Sequence, residues 1–244
     1  MNAATTFHKP LSKRFAAAAA LLGAMALAQA QGTAAEALQA TAQRLSTVDA
    51  KWRDAFAAFD AADKLKPVQP GGVLFVGSSS IRLWDDLEQQ FQSLPVLVKR
   101  GFGGSQLSDC AAYLDRLVVA YQPRLVVLYA GDNDLNAGRT PQQVLQSYVS
   151  FVDGVHRSLP DTRIAYVSIK PSPARTALLP AIQEANALIR AHAGQDQRLD
   201  YIDVYQPMLD AQGRPRAELF REDRLHLNAQ GYALWHDLIA ARLR

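Results

Sequence analysis

The sequence predicts an α/β fold: a parallel sheet of five strands with helices on both faces, preceded by one long helix. Two observations carry this expectation. Short apolar runs recur at Val73–Val76, Val96–Lys99, Leu125–Ala130, Arg163–Ile169 and Leu199–Val204, each of a length and composition suited to a buried strand. Longer stretches of helical composition alternate with them, near Ile81–Phe91, Asp109–Tyr121, Pro141–Leu159, Pro180–His192 and Ala229–Leu243. Alternation of this kind implies a three-layer α/β/α arrangement around a parallel sheet.

In chain order, the first thirty residues stand apart from that fold. His8, Lys9, Lys13 and Arg14 form a basic start, Phe15–Ala28 an apolar run, and Ala28-Gln-Ala30 a small-x-small site. This order describes a signal peptide cleaved after Ala30, and hence a secreted or periplasmic protein. The apolar run is too short to span a bilayer, so no integral membrane segment is expected in the mature chain. The 244-residue chain has 26 basic and 23 acidic residues. Lys9, Lys13 and Arg14 account for the excess, which leaves the expected mature chain formally neutral. No basic footprint for nucleic acid remains. One cysteine, Cys110, excludes an internal disulfide framework and reads as an inert thiol in a helix.

Residues 31–72 are expected to form an N-terminal helix and linker. The helix reads as Thr33–Leu65, with Leu38, Leu45, Trp52 and Phe59 at seven-residue spacing and Thr41, Val48, Ala55 and Ala62 between them. So few heptads, with alanine or threonine at three of the eight inner positions, favour packing against the protein's own body over a coiled coil. Lys66-Pro-Val-Gln-Pro-Gly-Gly72 breaks the helix.

The main domain, 73–244, opens with Val73-Leu-Phe-Val-Gly-Ser-Ser-Ser80. The serines fall where the first strand turns into a helix, at the edge of an open sheet where ligands bind. A hydroxyl there serves as a helix cap or as a nucleophile beside backbone donors. Other helix starts are marked by Ser108, by Thr140 before Pro141 and by Asn228.

Parallel strands bring their following loops to one edge. The second loop, Arg100-Gly-Phe-Gly-Gly-Ser-Gln106, has three glycines that admit close backbone approach, but lacks the third glycine of a dinucleotide fingerprint. The third, Gly131-Asp-Asn-Asp-Leu135, offers the Asn133 amide as a donor to a developing oxyanion. Asp132 and Asp134 raise the alternative of a metal, without a further acid or histidine at ligand spacing. The last, Phe220–Asn228, holds Asp223 and His226 three residues apart, on one side of a helical turn. A carboxylate beside imidazole orients a general base. His156, His192 and His236 lie in expected helices with no acid so disposed.

Together, Gly77-Ser-Ser79, Gly104, Gly131-Asp-Asn133 and Asp223-x-x-His226 resemble the four blocks of the SGNH hydrolases, or GDSL esterases and lipases. The resemblance implies a flavodoxin-like sheet, Ser79 as nucleophile, His226 as base and Asp223 as its orienting acid. It implies an oxyanion hole from Ser79, Gly104 and Asn133, with no cofactor and no metal. Ser78 stands where the family usually has Asp. The α/β-hydrolase elbow fits less well, because no glycine stands two residues after Ser79.

The expected activity is hydrolysis of short-chain, above all acetyl, esters of a small molecule or glycan. The alternatives are a lysophospholipase or thioesterase, an acyltransferase, and a non-catalytic carbohydrate- or envelope-binding module on the same fold. Neither spare segment, Lys170–Leu179 or Gln206–Arg221, has the apolar character of a lid over a long acyl chain. Trp84, Phe102 and Tyr129 are candidate walls of a shallow site and, equally, candidate core residues.

Overall fold

The computed structural model describes residues 50–243. The expected leader, its cleavage site and the first part of the expected long helix lie outside the described residues. The chain divides into two compact units, Met1–Arg53 and Asp54–Arg244. Of the first, residues 50–53 are described, and they are helical.

The second unit begins with α1, residues 54–65. Its anchor is Phe56, 3% exposed, whose ring meets Phe102 and Tyr113 at centroid distances of 5.7 and 4.9 Å. The seven-residue stripe turns Ala55 inward instead, whereas Phe59, which it also names, packs edge-on against Phe56 at 5.7 Å. A helix lying on a single body follows its own 3.6-residue turn, which aligns Phe56, Phe59 and Asp63. Asp63 is held by Arg100 and by the Tyr121 hydroxyl, which donates to it at 2.6 Å.

The strands are β1 (Val73–Gly77), β2 (Leu97–Gly101), β3 (Leu125–Tyr129), β4 (Arg163–Val167) and β5 (Leu199–Ile202). All pairs are parallel, in the order β2-β1-β3-β4-β5. This is the flavodoxin-like order, and it reverses direction between β1 and β3, where such sheets bind ligands. Gly77 and Tyr129 are cross-strand partners at the carboxyl end of that junction. A Cβ on Gly77 would lie 1.8 Å from the Tyr129 carbonyl oxygen, so the two strand ends close up only because residue 77 is glycine.

Both sheet faces are covered, and every residue of β1 and β3 is buried. Alternate side chains serve opposite layers. Phe75, Val127 and Tyr129 pack with Trp84, Tyr232 and Trp235 in one core, while Tyr166 meets Tyr148 on the other face.

Helices follow as α2 (Ser79–Arg82), α3 (Leu87–Gln90), α4 (Leu107–Ala112), α5 (Leu114–Leu117), α6 (Asp132–Asn136), α7 (Pro141–Ser158), α8 (Leu179–Ala193) and α9 (Ala229–Ala240). Two expected helices are each broken. The Ile81–Phe91 stretch divides because the Trp84 carbonyl accepts from Lys99 Nζ at 2.9 Å, which draws the chain onto the sheet. Asp109–Tyr121 becomes α4, α5 and a 3₁₀ turn, and ends at Gln122 in a left-handed conformation before Pro123, which disfavours further helix. The segment 131–135, expected as a loop, is instead the start of α6. Among the described residues, no helix is long and apolar enough to cross a membrane.

Candidate active site

Ser79 opens α2 directly after β1. Ser78 and Ser80 on either side are 0% and 1% exposed, and their hydroxyls have no hydrogen-bond partner. Ser79 alone of the three is partly exposed, and its Oγ lies 3.0 Å from His226 Nε2. At the opposite ring nitrogen, His226 Nδ1 lies 2.6 Å from Asp223 Oδ2. A carboxylate only accepts, so Nδ1 carries the proton and Nε2 is left to accept from the Ser79 hydroxyl. The turn that carries Ser79 is held from beneath by α9, where the Tyr232 hydroxyl donates to the Ser80 carbonyl at 2.9 Å.

Asp223 and His226 do not share a helical turn, as their spacing suggested. The other Asp223 oxygen, Oδ1, accepts the backbone N–H groups of Leu225 and His226, both at 2.9 Å. Arg224 between them is left-handed, with φ +58°. The side chain of Asp223 thus builds its own turn and sets the imidazole against its second oxygen. Burial works against the charge of Asp223. The bonds from the His226 backbone and ring and from Leu225 outweigh it and lower the carboxyl to about 2.

The second and third loops are tied to each other and to β1. Phe102 N–H donates to the Gly77 carbonyl at 2.9 Å. Gly104, at φ +76°, turns the chain so that the Ser105 carbonyl accepts from Asn133 Nδ2 at 3.0 Å. One residue on, the Asp134 carboxylate accepts the Leu107 N–H at 3.0 Å. Ser79, Gly104, Asn133, Asp223 and His226 therefore sit on four segments of one sheet edge.

Two residues of this edge, Lys170 and Arg175, were not anticipated. Asp132 Oδ2 lies 3.0 Å from Lys170 Nζ and 2.9 Å from Arg175 Nη1. The Arg175 contact is an ion pair and not a directed hydrogen bond, since its N–H bonds point off the line. Arg175 Nη2 donates to Asn133 Oδ1 at 3.0 Å. A metal between Asp132 and Asp134 would meet these two cations. Among the described residues, no group of three or more His, Cys, Asp or Glu could hold one. A lysine directly after the apolar run 163–169 was the available signal, because it stands at the same sheet edge as the serines.

Trp84, Phe102 and Tyr129 are each 0% exposed; they are core residues and do not wall the site. Cys110 is equally buried, and burial, with Asp134 and Asp109 nearby, pushes its thiol up. His236 does have an acid within reach, Asp237 at 3.0 Å, and its ring packs on Phe91. His156 bonds the Thr162 carbonyl, and His192 packs edge-on against Tyr148. An open cleft of about 720 Å³ lies beside the 223–226 turn. Its walls come from the two spare segments, with Pro173 and Thr176 on one side, Asp210 and Arg216 on the other, and Arg224 between.

Residues 72–234 match the model of the GDSL-like lipase/acylhydrolase family, which is 163 of the 244 residues. No curated protein matches the chain. Several solved structures share its fold. A Streptococcus pneumonia protein provisionally described as a platelet activating factor aligns with a TM-score of 0.70 at 22% identity, covering 80% of this chain and 93% of its own. For a GDSL-like lipase from Bacteroides thetaiotaomicron the values are 0.65, 20%, 77% and 96%. For a family 3 carbohydrate esterase from Talaromyces cellulolyticus they are 0.59, 20%, 71% and 96%.

Proposed function

The chain belongs to the GDSL-like lipase/acylhydrolase family and is a carboxylic ester hydrolase, and on that premise we propose that it cleaves short-chain esters through an acyl-enzyme on Ser79. The observation that carries the reading is the unbroken hydrogen-bond chain Ser79–His226–Asp223 at 3.0 and 2.6 Å. Ser79 Oγ attacks the ester carbonyl carbon while His226 Nε2 takes its proton. The oxyanion so formed is held by the Ser79 and Gly104 amides and by Asn133 Nδ2. At the first position of α2, the Ser79 N–H lacks an intrahelical partner and is available for this. Collapse of the intermediate expels the alcohol, which leaves with the proton from His226. Water then repeats the sequence, the carboxylic acid departs and Ser79 recovers its proton.

Short acyl groups follow from the surroundings. The large aromatic residues near the site are core, and the neighbouring cleft carries charged groups along its 210–218 wall and at Arg224. A polar carrier such as a glycan suits those walls; a long acyl chain does not. Export follows from the leader and is tested by the N-terminal sequence of the protein recovered outside the cell. The activity is tested by kcat/KM over p-nitrophenyl esters from acetate to palmitate. A maximum at acetate or butyrate supports the reading, and a steady rise beyond octanoate replaces it with a lipase or lysophospholipase.

A further inference from the structure

Three charged side chains are withdrawn from water at this edge of the sheet: Lys170, Asp132 and Arg175, with exposures of 1%, 6% and 10%. Burying ions is costly, and a buried ion pair is weak evidence of a purely stabilising role. Here one of them, Arg175, reaches a neutral group, the amide of Asn133. An amide can face either way, and the wrong orientation would present oxygen to the oxyanion. Arginine only donates and a backbone carbonyl only accepts. With Arg175 Nη2 at 3.0 Å from Oδ1 and the Ser105 carbonyl at 3.0 Å from Nδ2, a single orientation satisfies both. Nδ2 carries two hydrogens, and Ser105 takes one of them.

The charges reinforce this geometry. One carboxylate stands between two cations, so the cluster has a net charge of +1. Lys170 also donates to the Tyr129 hydroxyl at 3.0 Å, which fixes the far end. Arg175 itself projects from the 3₁₀ segment Pro173–Leu178 with φ −123° and ψ 31°, outside the helical range. The chain leaves its regular path at the residue whose side chain turns inward.

We propose that Arg175 is a positioning residue for ester hydrolysis: it locks and polarises the Asn133 amide so that the second Nδ2 hydrogen is presented to the oxyanion, while Asp132, itself anchored by Lys170, holds Arg175 in place. This rests on the reading of Ser79 and Asn133 given above. A positive group on Oδ1 strengthens the N–H groups as donors, and does so most when negative charge develops opposite them. The effect therefore belongs to the transition state and enters kcat more than KM.

The test is a double-mutant cycle with p-nitrophenyl acetate. Asn133→Ala is expected to lower kcat about 10²- to 10³-fold, as for loss of one oxyanion donor. Arg175→Met is expected to lower kcat about tenfold or more and to change KM less than about threefold. In the Asn133→Ala background, the same Arg175→Met change is expected to cost less than about twofold, because the group it acts through is gone. Arg175→Lys keeps the charge near Asp132 and is expected to recover part of the loss; it also carries the cycle if Arg175→Met fails to fold. An equal loss in both backgrounds, or no loss in either, overturns the proposal. If Asn133→Ala is fully active while Ser79→Ala is dead, the role of Asn133 falls and this proposal with it. If Ser79→Ala stays active, the reading of the whole site is at fault.

Discussion

Asp132 and Lys170 meet at 3.0 Å with both side chains almost wholly out of solvent. Burial opposes both charges. Lys170 and Arg175 nevertheless hold the Asp132 carboxyl below its ordinary value, and Asp132 holds Lys170 above its own. A lowered acid stabilises the fold above the unfolded acid's pKa, and a raised base does so below the unfolded base's pKa. The pair should therefore contribute evenly between about pH 4 and pH 10. Asp132→Asn leaves two buried cations uncompensated and is expected to cost about 3–5 kcal/mol in urea unfolding. Asp132→Asn with Lys170→Met is expected to regain much of that. A single-mutant cost under about 1 kcal/mol would contradict the account.

Asp134 behaves in the opposite way. Burial raises its carboxyl to about 6, although the Leu107 N–H and its own amide pull it down. The folded protein thus holds this proton more tightly than the unfolded chain. Ionisation costs stability progressively as pH rises from about 4, and the full cost is present above about 6. Relative to Asp134→Asn, the wild type should lose roughly 2–3 kcal/mol between pH 4 and pH 7.5. Melting of both proteins at the two pH values checks this; a constant difference in Tm would refute it.

Of the three serines, Ser79 is expected to be the one labelled by a fluorophosphonate. Ser79→Ala should reduce esterase activity by about 10³-fold or more. Ser78→Ala and Ser80→Ala each remove a buried hydroxyl that has no partner, so both should remain active and as stable as the wild type or slightly more so. Peptide mapping that finds the label on Ser78 or Ser80 would displace Ser79.

For Asp223, activity and stability should separate. Its side chain is 48% exposed, so the ion pair with His226 is screened and is worth at most about 1 kcal/mol to the fold. Asp223→Asn is therefore expected to shift Tm by only a few degrees. It should lower kcat by about 10²- to 10⁴-fold, because the amide no longer enforces the tautomer that accepts from Ser79. With the carboxyl at about 2, acidification to pH 4 should leave this orienting role intact. A large fall in Tm together with a small fall in kcat would reverse the assignment of its role.

Most of the fold was legible because it is written in apolar runs. Val73–Val76 and Leu125–Ala130 announce buried strands by composition alone, and the pairing order follows from the family the loops resemble. What stayed hidden depends on contacts between segments distant in sequence. Nothing local to Ile81–Phe91 foretells that Lys99, on the neighbouring strand, will take the Trp84 carbonyl and divide the helix. Asp223-x-x-His226 fits a helical turn by spacing, yet the aspartate side chain supplies a tighter turn of its own. Lys170 and Arg175 carry no motif; their meaning depends on Asp132, some forty residues earlier. The aromatic residues beside the motifs read equally as site walls or as core from position alone, and the packed layers show them to be core.

Trp84 stacks on Tyr232 at 5.0 Å and meets Trp235 edge-on at 6.2 Å, both indoles being wholly buried. Tyr232 is also the residue whose hydroxyl pins the serine turn. Two of the chain's three tryptophans are thus optical reporters seated directly beneath its most reactive oxygen. Their emission should be blue-shifted in the folded protein and move to the red when α9 lifts from the sheet. Intrinsic fluorescence therefore follows the integrity of that turn in a sample with no substrate, label or engineered probe.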